Sequence, residues 1–97
     1  MNSIKDYIEM QARSLGQLKF DPAEQVVARL ERARVEGRHI FLFGNGGSAA
    51  TASHFACDLG KGTIQPDRPR FKVIALADSL PTLTAYANDF GYDTVFE

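Results

Sequence analysis

The sequence predicts an α/β fold in which helices cover a parallel sheet. Two short apolar runs, at residues 39–43 and 71–77, lack polar alternation, as strands buried on both faces of a parallel sheet do. Each run leads into a segment with helical periodicity, and strands that alternate with helices indicate a doubly wound layer with right-handed crossovers. A chain of 97 residues with 44% hydrophobic content suits one such unit.

Two amphipathic helices are predicted before the first strand. Apolar residues recur at three- and four-residue spacing over residues 3–15, and this helix is expected to stop near Gly16. Asp21 is expected to cap the second helix, with Pro22 at its first position. The stripe of this helix runs to Gly37, which favours a left-handed C-cap.

The other two helices follow the predicted strands. The Ala- and Ser-rich segment 48–59 suits a helix packed closely on the sheet, and Gly60 and Gly62 are expected to end it. After the second strand, Asp78 or Ser79 is expected to cap the last helix.

These elements divide the chain into two predicted parts. Residues 1–37 form an N-terminal helical hairpin, and residues 38–97 form the first βαβα portion of the sheet domain.

Composition argues against several classes of partner. With 11 Lys and Arg against 12 Asp and Glu, no basic excess is present for nucleic acid or an anionic membrane. The longest apolar run, residues 73–77, is far below the roughly 20 residues that a membrane span requires. One cysteine, Cys57, agrees with a reducing compartment. We therefore expect a cytoplasmic protein in which Cys57 is a small buried residue.

The glycine-rich loop from Gly44 to Ser48 is the first candidate ligand site. It follows a predicted strand, where open α/β sheets bind ligands. Glycines allow a ligand to approach the backbone amides, and the N-terminus of the next helix adds a positive partial charge of about half a unit. Phosphate or sugar oxygens suit this loop. A tight turn without a ligand is the alternative. The polar side chains of Asn45 and Ser48 favour a ligand, because a turn alone does not require both of them.

The helix after this loop carries the second candidate site. Thr51, His54 and Asp58 are spaced by three and four residues and share one face. A His and a carboxylate in this arrangement can bind one divalent metal or transfer protons. Catalytic metal sites usually take three protein ligands, so a surface His–Asp pair is the alternative. The position of the pair, about two turns beyond the loop, favours a function.

Asn88 and Asp89 lie near the end of the last predicted helix, ahead of Gly91. Asn near the end of a helix, with Gly after it, is common at helix C-termini, which favours Asn88 as a C-cap.

Two motifs carry a family resemblance. The segment FGNGGSAATASHFA at residues 43–56, together with LTAYANDFGY at 83–92, resembles the phosphoheptose isomerase group of the SIS (sugar isomerase) family, over essentially the whole chain. The resemblance implies a flavodoxin-like three-layer αβα sandwich, truncated here after the second strand–helix unit. It also implies a homotetramer that interconverts sedoheptulose 7-phosphate and a manno-heptose 7-phosphate.

The resemblance also assigns roles to individual residues. His54 would be a ligand of one Zn²⁺ per subunit. Asp58 stands where the family has a glutamate that is both metal ligand and catalytic base, so it takes both roles here and would also contact substrate. The other residues expected at the phosphorylated sugar are Asn45, Gly46, Gly47, Ser48, Asn88 and Asp89. The family's phosphate-binding Ser/Thr loop and its late Gln and His are absent from these 97 residues.

Two other functions remain open. A non-catalytic SIS module would bind a sugar phosphate or a protein partner, as relatives that serve as adaptors for the bacterial replication initiator do. A dinucleotide site is the second, because Gly44, Gly46 and Ala49 fit the Rossmann fingerprint. Against it, Asp78 follows about 30 residues later, rather than the usual spacing of about 20.

Overall fold

A computed structural model describes residues 3–97 and has the α/β organisation that the alternating pattern predicts. Residues 1 and 2 of the predicted helical hairpin lie outside the described residues. In chain order, the elements are α1 (Ile4–Gly16), α2 (Phe20–Glu36), β1 (His39–Leu42), α3 (Gly47–Gly62), β2 (Lys72–Ala75), a 3-10 turn (Leu76–Asp78), α4 (Leu80–Phe90) and a second 3-10 turn (Tyr92–Thr94).

The two strands pair in parallel, as predicted, with Ile40 opposite Val73. Helix α3 crosses between them and packs so closely on β2 that a Cβ at Gly60 would lie 3.3 Å from Val73 Cγ1. The other face of the pair carries Phe41 and Ile74, which are 55% and 44% exposed. The prediction of strands buried on both faces is therefore wrong for this structure, because the described residues leave the side chains of that second face about half exposed.

The predicted helix ends are partly confirmed. Ser3 caps α1 by accepting a hydrogen bond from the Asp6 amide at 3.1 Å. Gly37 ends α2 in the left-handed conformation, at φ 68°. Helix α2 begins at Phe20, so the prediction that Asp21 is its cap is wrong. Pro22 tolerates this earlier start because the first amides of a helix have no intrahelical acceptor.

Helix α4 also differs from its prediction. Ser79 is its N-cap residue, but the Ser79 hydroxyl donates to Thr82 Oγ1 at 2.8 Å instead of accepting from a backbone amide. The helix continues to Phe90 and Gly91 is its C-cap, so the prediction of Asn88 as the C-cap is wrong. Asn88 instead lies inside the last helical turn.

Arg34 on α2 is a buried charged residue that joins distant parts of the chain. Its side chain is 8% exposed and forms a forked ion pair with Glu31. A third donor, Nη1, reaches the carbonyl of Pro69 at 3.2 Å, and the guanidinium lies 5.9 Å from the centre of the Phe71 ring. The hydrogen bond from Arg34 lowers the pKa of the Glu31 carboxyl. This cluster fixes α2 to the segment that leads into β2.

The structure is open rather than densely packed. Its radius of gyration is 17.5 Å, whereas a compact domain of this length has about 12.5 Å. Its accessible surface is 7895 Å², against about 5,500 Å² for a compact monomer of this mass. The excess, about 2,400 Å² by the same scaling, is the area of a substantial interface. Helix α1 contributes to it, since none of its residues is buried. No helix in residues 3–97 is both long enough and apolar enough to cross a membrane.

We expect the Arg34–Glu31 ion pair to make the free energy of unfolding depend on pH, and Arg34→Met to weaken that dependence. Because the pKa of Glu31 is lowered in the folded state, its contribution is complete above the ordinary glutamate pKa of about 4.3 and is lost as pH falls through the lowered value. Urea denaturation followed by circular dichroism should show Arg34→Met less stable than wild type at pH 7, with the difference shrinking toward pH 3.

Arg32→Met is the matched control, because Arg32 pairs with Glu36 on the same helix but its side chain is 78% exposed. It should change the urea midpoint little at either pH. An equal loss in the two variants, or a gap between wild type and Arg34→Met that is independent of pH, would contradict the role of the cluster.

Candidate functional site

The loop between β1 and α3 is a tight turn that requires glycine at two positions. A Cβ at Gly44 would lie 2.7 Å from Ser48 Cβ and 2.9 Å from the Ser48 carbonyl carbon. Gly46 has φ 54° and ψ −118°, a conformation that L-residues rarely adopt. The Ser48 amide closes the turn by donating to the Asn45 carbonyl at 3.0 Å. The turn therefore places the N-terminus of α3 directly beyond the end of β1.

The same loop leaves space for a ligand. A Cβ at Gly46 or Gly47 would meet no atom within 4 Å. The first amides of an α-helix have no intrahelical acceptor, and no acidic residue lies in the first turn of α3 to offset its positive end. An anionic or hydroxylated ligand can therefore approach these amides from solvent.

The end of the chain packs against this loop. The Tyr92 hydroxyl donates a hydrogen bond to Asn45 Oδ1. The ring of Phe96 lies 4.9 Å from that of Phe43, centre to centre, just before the loop. The pattern of apolar spacing contains no signal for either contact, since each joins residues about 50 positions apart.

Asn88 and Asp89 lie close in sequence to that contact. Both are exposed in the last turn of α4, where Asn88 Nδ2 donates to Asp89 Oδ1 at 3.0 Å. Because Tyr92 follows within four residues, this end of α4 is tied to the glycine loop through the Tyr92–Asn45 hydrogen bond. The predicted substrate roles of Asn88 and Asp89 stay predictions.

His54 and Asp58 form the pair that their spacing predicts. His54 Nε2 lies 3.1 Å from Asp58 Oδ2, and the side chains are 80% and 63% exposed. Two ligands of a tetrahedral zinc ion lie about 3.3 Å apart at bond lengths of about 2.0 Å, so this donor spacing fits one edge of such a site. Within residues 3–97, no group of three His, Cys, Asp or Glu residues could hold a metal ion. The pair therefore fits part of a ligand set.

The pair and the loop are separate groups on one helix. At 1.5 Å of rise per residue, His54 and Asp58 lie about 10 and 16 Å along α3 from Gly47. Thr51 lies between the pair and the loop. Its hydroxyl donates a hydrogen bond to the Gly47 carbonyl at 3.1 Å, within the same helix. The structure thus joins Asn45 to Tyr92 and His54 to Asp58. The substrate role of Asn45, the metal-ligand roles of His54 and Asp58 and the catalytic role of Asp58 stay predictions.

Cys57 contradicts its prediction. Its side chain is free and exposed, not buried. The more covered positions of α3 include Ala52, Ala56 and Gly60, which recur every four residues. Cys57 lies beside this stripe, so the described part of the chain leaves it in solvent.

Comparison with known proteins gives consistent relatives. No protein-family model matches the chain. A probable phosphoheptose isomerase of Thermoplasma acidophilum is 37% identical over 92 residues, which cover 95% of this chain and 50% of that protein. A phosphoheptose isomerase of Mycobacterium tuberculosis is 45% identical over 77 residues, covering 79% of this chain and 39% of the relative.

A solved structure shares the fold. Phosphoheptose isomerase GmhA from Neisseria gonorrhoeae superposes with a TM-score of 0.65 at 26% identity, over 97% of this chain and 51% of that chain. This match confirms the predicted α/β fold class. The chain spans about half the length of the curated relatives it matches. By sequence and by fold, and as its two motifs predict, the chain is a homologue of the phosphoheptose isomerases over that length.

Proposed function

We propose that the protein is a sugar-phosphate isomerase whose substrates are sedoheptulose 7-phosphate and a manno-heptose 7-phosphate. The observation that carries the proposal is the open helix N-terminus behind a glycine turn, in a homologue of phosphoheptose isomerases. Unpaired amides at a helix start bind phosphate and sugar oxygens. Asn45 and Ser48 add polar side chains at the same place.

The proposed reaction is an aldose–ketose isomerisation. Asp58 takes the proton from the hydroxyl-bearing carbon next to the substrate carbonyl, and an acid protonates the carbonyl oxygen, which gives an enediol. The proton then moves from Asp58 to the former carbonyl carbon while the other hydroxyl loses its proton to the conjugate base of that acid, so the carbonyl forms on the neighbouring carbon. His54, 3.1 Å away, holds the Asp58 carboxylate in place. A substrate that engages both the loop and this pair must be extended, because His54 lies about 10 Å along α3 from Gly47.

His54 and Asp58 are also the residues that would hold a zinc ion. When bound, zinc supplies a Lewis acid that polarises a carbonyl or hydroxyl oxygen of the substrate. A complete site needs at least one further protein ligand, which the described residues do not place near the pair.

We also propose that the protein acts in the cytoplasm as a homotetramer. The excess surface of about 2,400 Å² supports an assembly that covers it. Large apolar side chains on several elements lie in that surface, among them Ile8, Phe20, Phe41 and Phe90.

A module that binds a sugar phosphate or a protein partner without turnover is the second candidate. The 63% exposure of the Asp58 side chain favours it. So does the length of the Asp58 side chain, since a displacement of about 1 Å can cost on the order of a hundredfold in rate. Binding of sedoheptulose 7-phosphate without conversion distinguishes this module from the enzyme.

Asp58→Asn tests the proposed base in the full-length gene product. Loss of the carboxylate should lower kcat for sedoheptulose 7-phosphate by about a hundredfold or more, because general base catalysis contributes that much. Asp67→Asn, which changes an exposed aspartate in the loop before β2, should leave the rate unchanged. Equal rates for Asp58→Asn and wild type would remove Asp58 from the mechanism.

Zinc content tests the proposed ligands. The full-length gene product purified with zinc should carry about one ion per subunit by atomic emission, and His54→Ala should reduce this strongly. His39→Ala is the control, since His39 is also exposed but lies on β1. Retention of zinc by His54→Ala would contradict the assignment.

Gly47→Ala tests the approach of ligand to the loop. The added methyl group meets no atom of the protein within 4 Å, so the melting temperature should stay within a few degrees of wild type. The methyl group would occupy space above the amides, so KM for sedoheptulose 7-phosphate should rise. Gly62→Ala, equally open at the far end of α3, should change neither quantity. An unchanged KM in Gly47→Ala would indicate that ligand does not approach there.

A further inference from the structure

The Asn45 side chain is held by one specific partner. Its Oδ1 accepts a hydrogen bond from the Tyr92 hydroxyl, across 47 residues of sequence. A side-chain amide has an accepting oxygen on one side and two N–H donors on the other. With Tyr92 on the oxygen, the Nδ2 donors of Asn45 remain for another group.

The backbone around Tyr92 is shaped to reach this position. Gly91 has φ 95° and ψ 149°, a region that is essentially limited to glycine, and a Cβ there would lie 2.8 Å from Asp93 Oδ1. The Thr94 hydroxyl donates to the Gly91 carbonyl at 2.8 Å, and Phe96 packs on Phe43. The segment is therefore fixed on both sides of Tyr92.

We propose that Tyr92 is a positioning residue of the glycine loop, which orients the Asn45 amide so that its Nδ2 donates to a ligand oxygen. The inference rests on the proposed function and adds which hydrogen-bonding groups of the ligand the site binds. The nearby helix amides also donate hydrogen bonds, so together with Asn45 Nδ2 they favour ligand groups that accept, such as phosphate or carbonyl oxygens. Without the Tyr92 hydroxyl, the amide can turn its oxygen toward the ligand and repel those groups.

The kinetic test is Tyr92→Phe in the full-length gene product. Loss of the hydroxyl should raise KM for sedoheptulose 7-phosphate about two- to tenfold with little change in kcat, as expected for one hydrogen bond that binds substrate and transition state equally. Tyr86→Phe is the matched control: Tyr86 is similarly exposed, at 49% against 53%, and its ring contacts Phe90, not the loop. A KM unchanged in Tyr92→Phe, or raised equally in both variants, would overturn the proposal.

A double-mutant cycle separates positioning from a general structural effect. If Tyr92 acts through Asn45, Tyr92→Phe should have no further effect on KM in an Asn45→Ala background. Independent effects that multiply in the double variant would overturn the proposal.

Nuclear magnetic resonance tests the orientation without relying on turnover. In ¹⁵N-labelled full-length protein without ligand, the side-chain amide signals of Asn45 should shift in Tyr92→Phe and stay in place in Tyr86→Phe. Identical Asn45 signals in wild type and Tyr92→Phe would overturn the proposal. A wild-type protein that does not convert sedoheptulose 7-phosphate would refute the proposed function, and these signals would still decide whether Tyr92 holds Asn45.

Discussion

The turn at residues 44–47 is the constraint on which the candidate site depends. At Gly44 the backbone passes so close to Ser48 that no side chain fits, and Gly46 bends the chain through a conformation that favours glycine. These two conditions let α3 begin shortly after β1, with the Ser48 amide paired to the Asn45 carbonyl and open space beside Gly47. A larger residue at either position would move the helix start away from Asn45. The positive end of α3, the polar side chains of the loop and the contact with Tyr92 all follow from this turn.

The open surface connects the fold to assembly. One face of the β1–β2 pair is covered by α3, while Phe41 and Ile74 on the other face remain exposed. The chain matches about half the length of its relatives, and its surface exceeds that of a compact monomer by about 2,400 Å². The proposed tetramer would bury such a surface. The hydrophobic effect then makes folding and assembly energetically dependent on each other.

The sequence predicted the structural features that form between neighbouring residues. The end of α1 at Gly16, the left-handed Gly37, the glycine turn and the His54–Asp58 spacing need only neighbouring residues to form, and all are present. The exposed faces of the strands and of Cys57 depend instead on what packs over them, which periodicity does not encode. The Tyr92–Asn45 hydrogen bond and the Arg34–Pro69 contact join segments far apart in sequence, so neither leaves a pattern in either segment alone.

The proposed function requires the protein to transfer a proton between adjacent carbons of a sugar phosphate. The most direct measurement is incubation of the full-length gene product with sedoheptulose 7-phosphate in D₂O, followed by nuclear magnetic resonance of the sugar. The proton held by the base should exchange with solvent deuterium before it is returned to the sugar. The manno-heptose 7-phosphate product should therefore carry deuterium on the carbon next to its carbonyl. A folded protein that binds the sugar phosphate but yields no isomer and no deuterium at that carbon would contradict the claim.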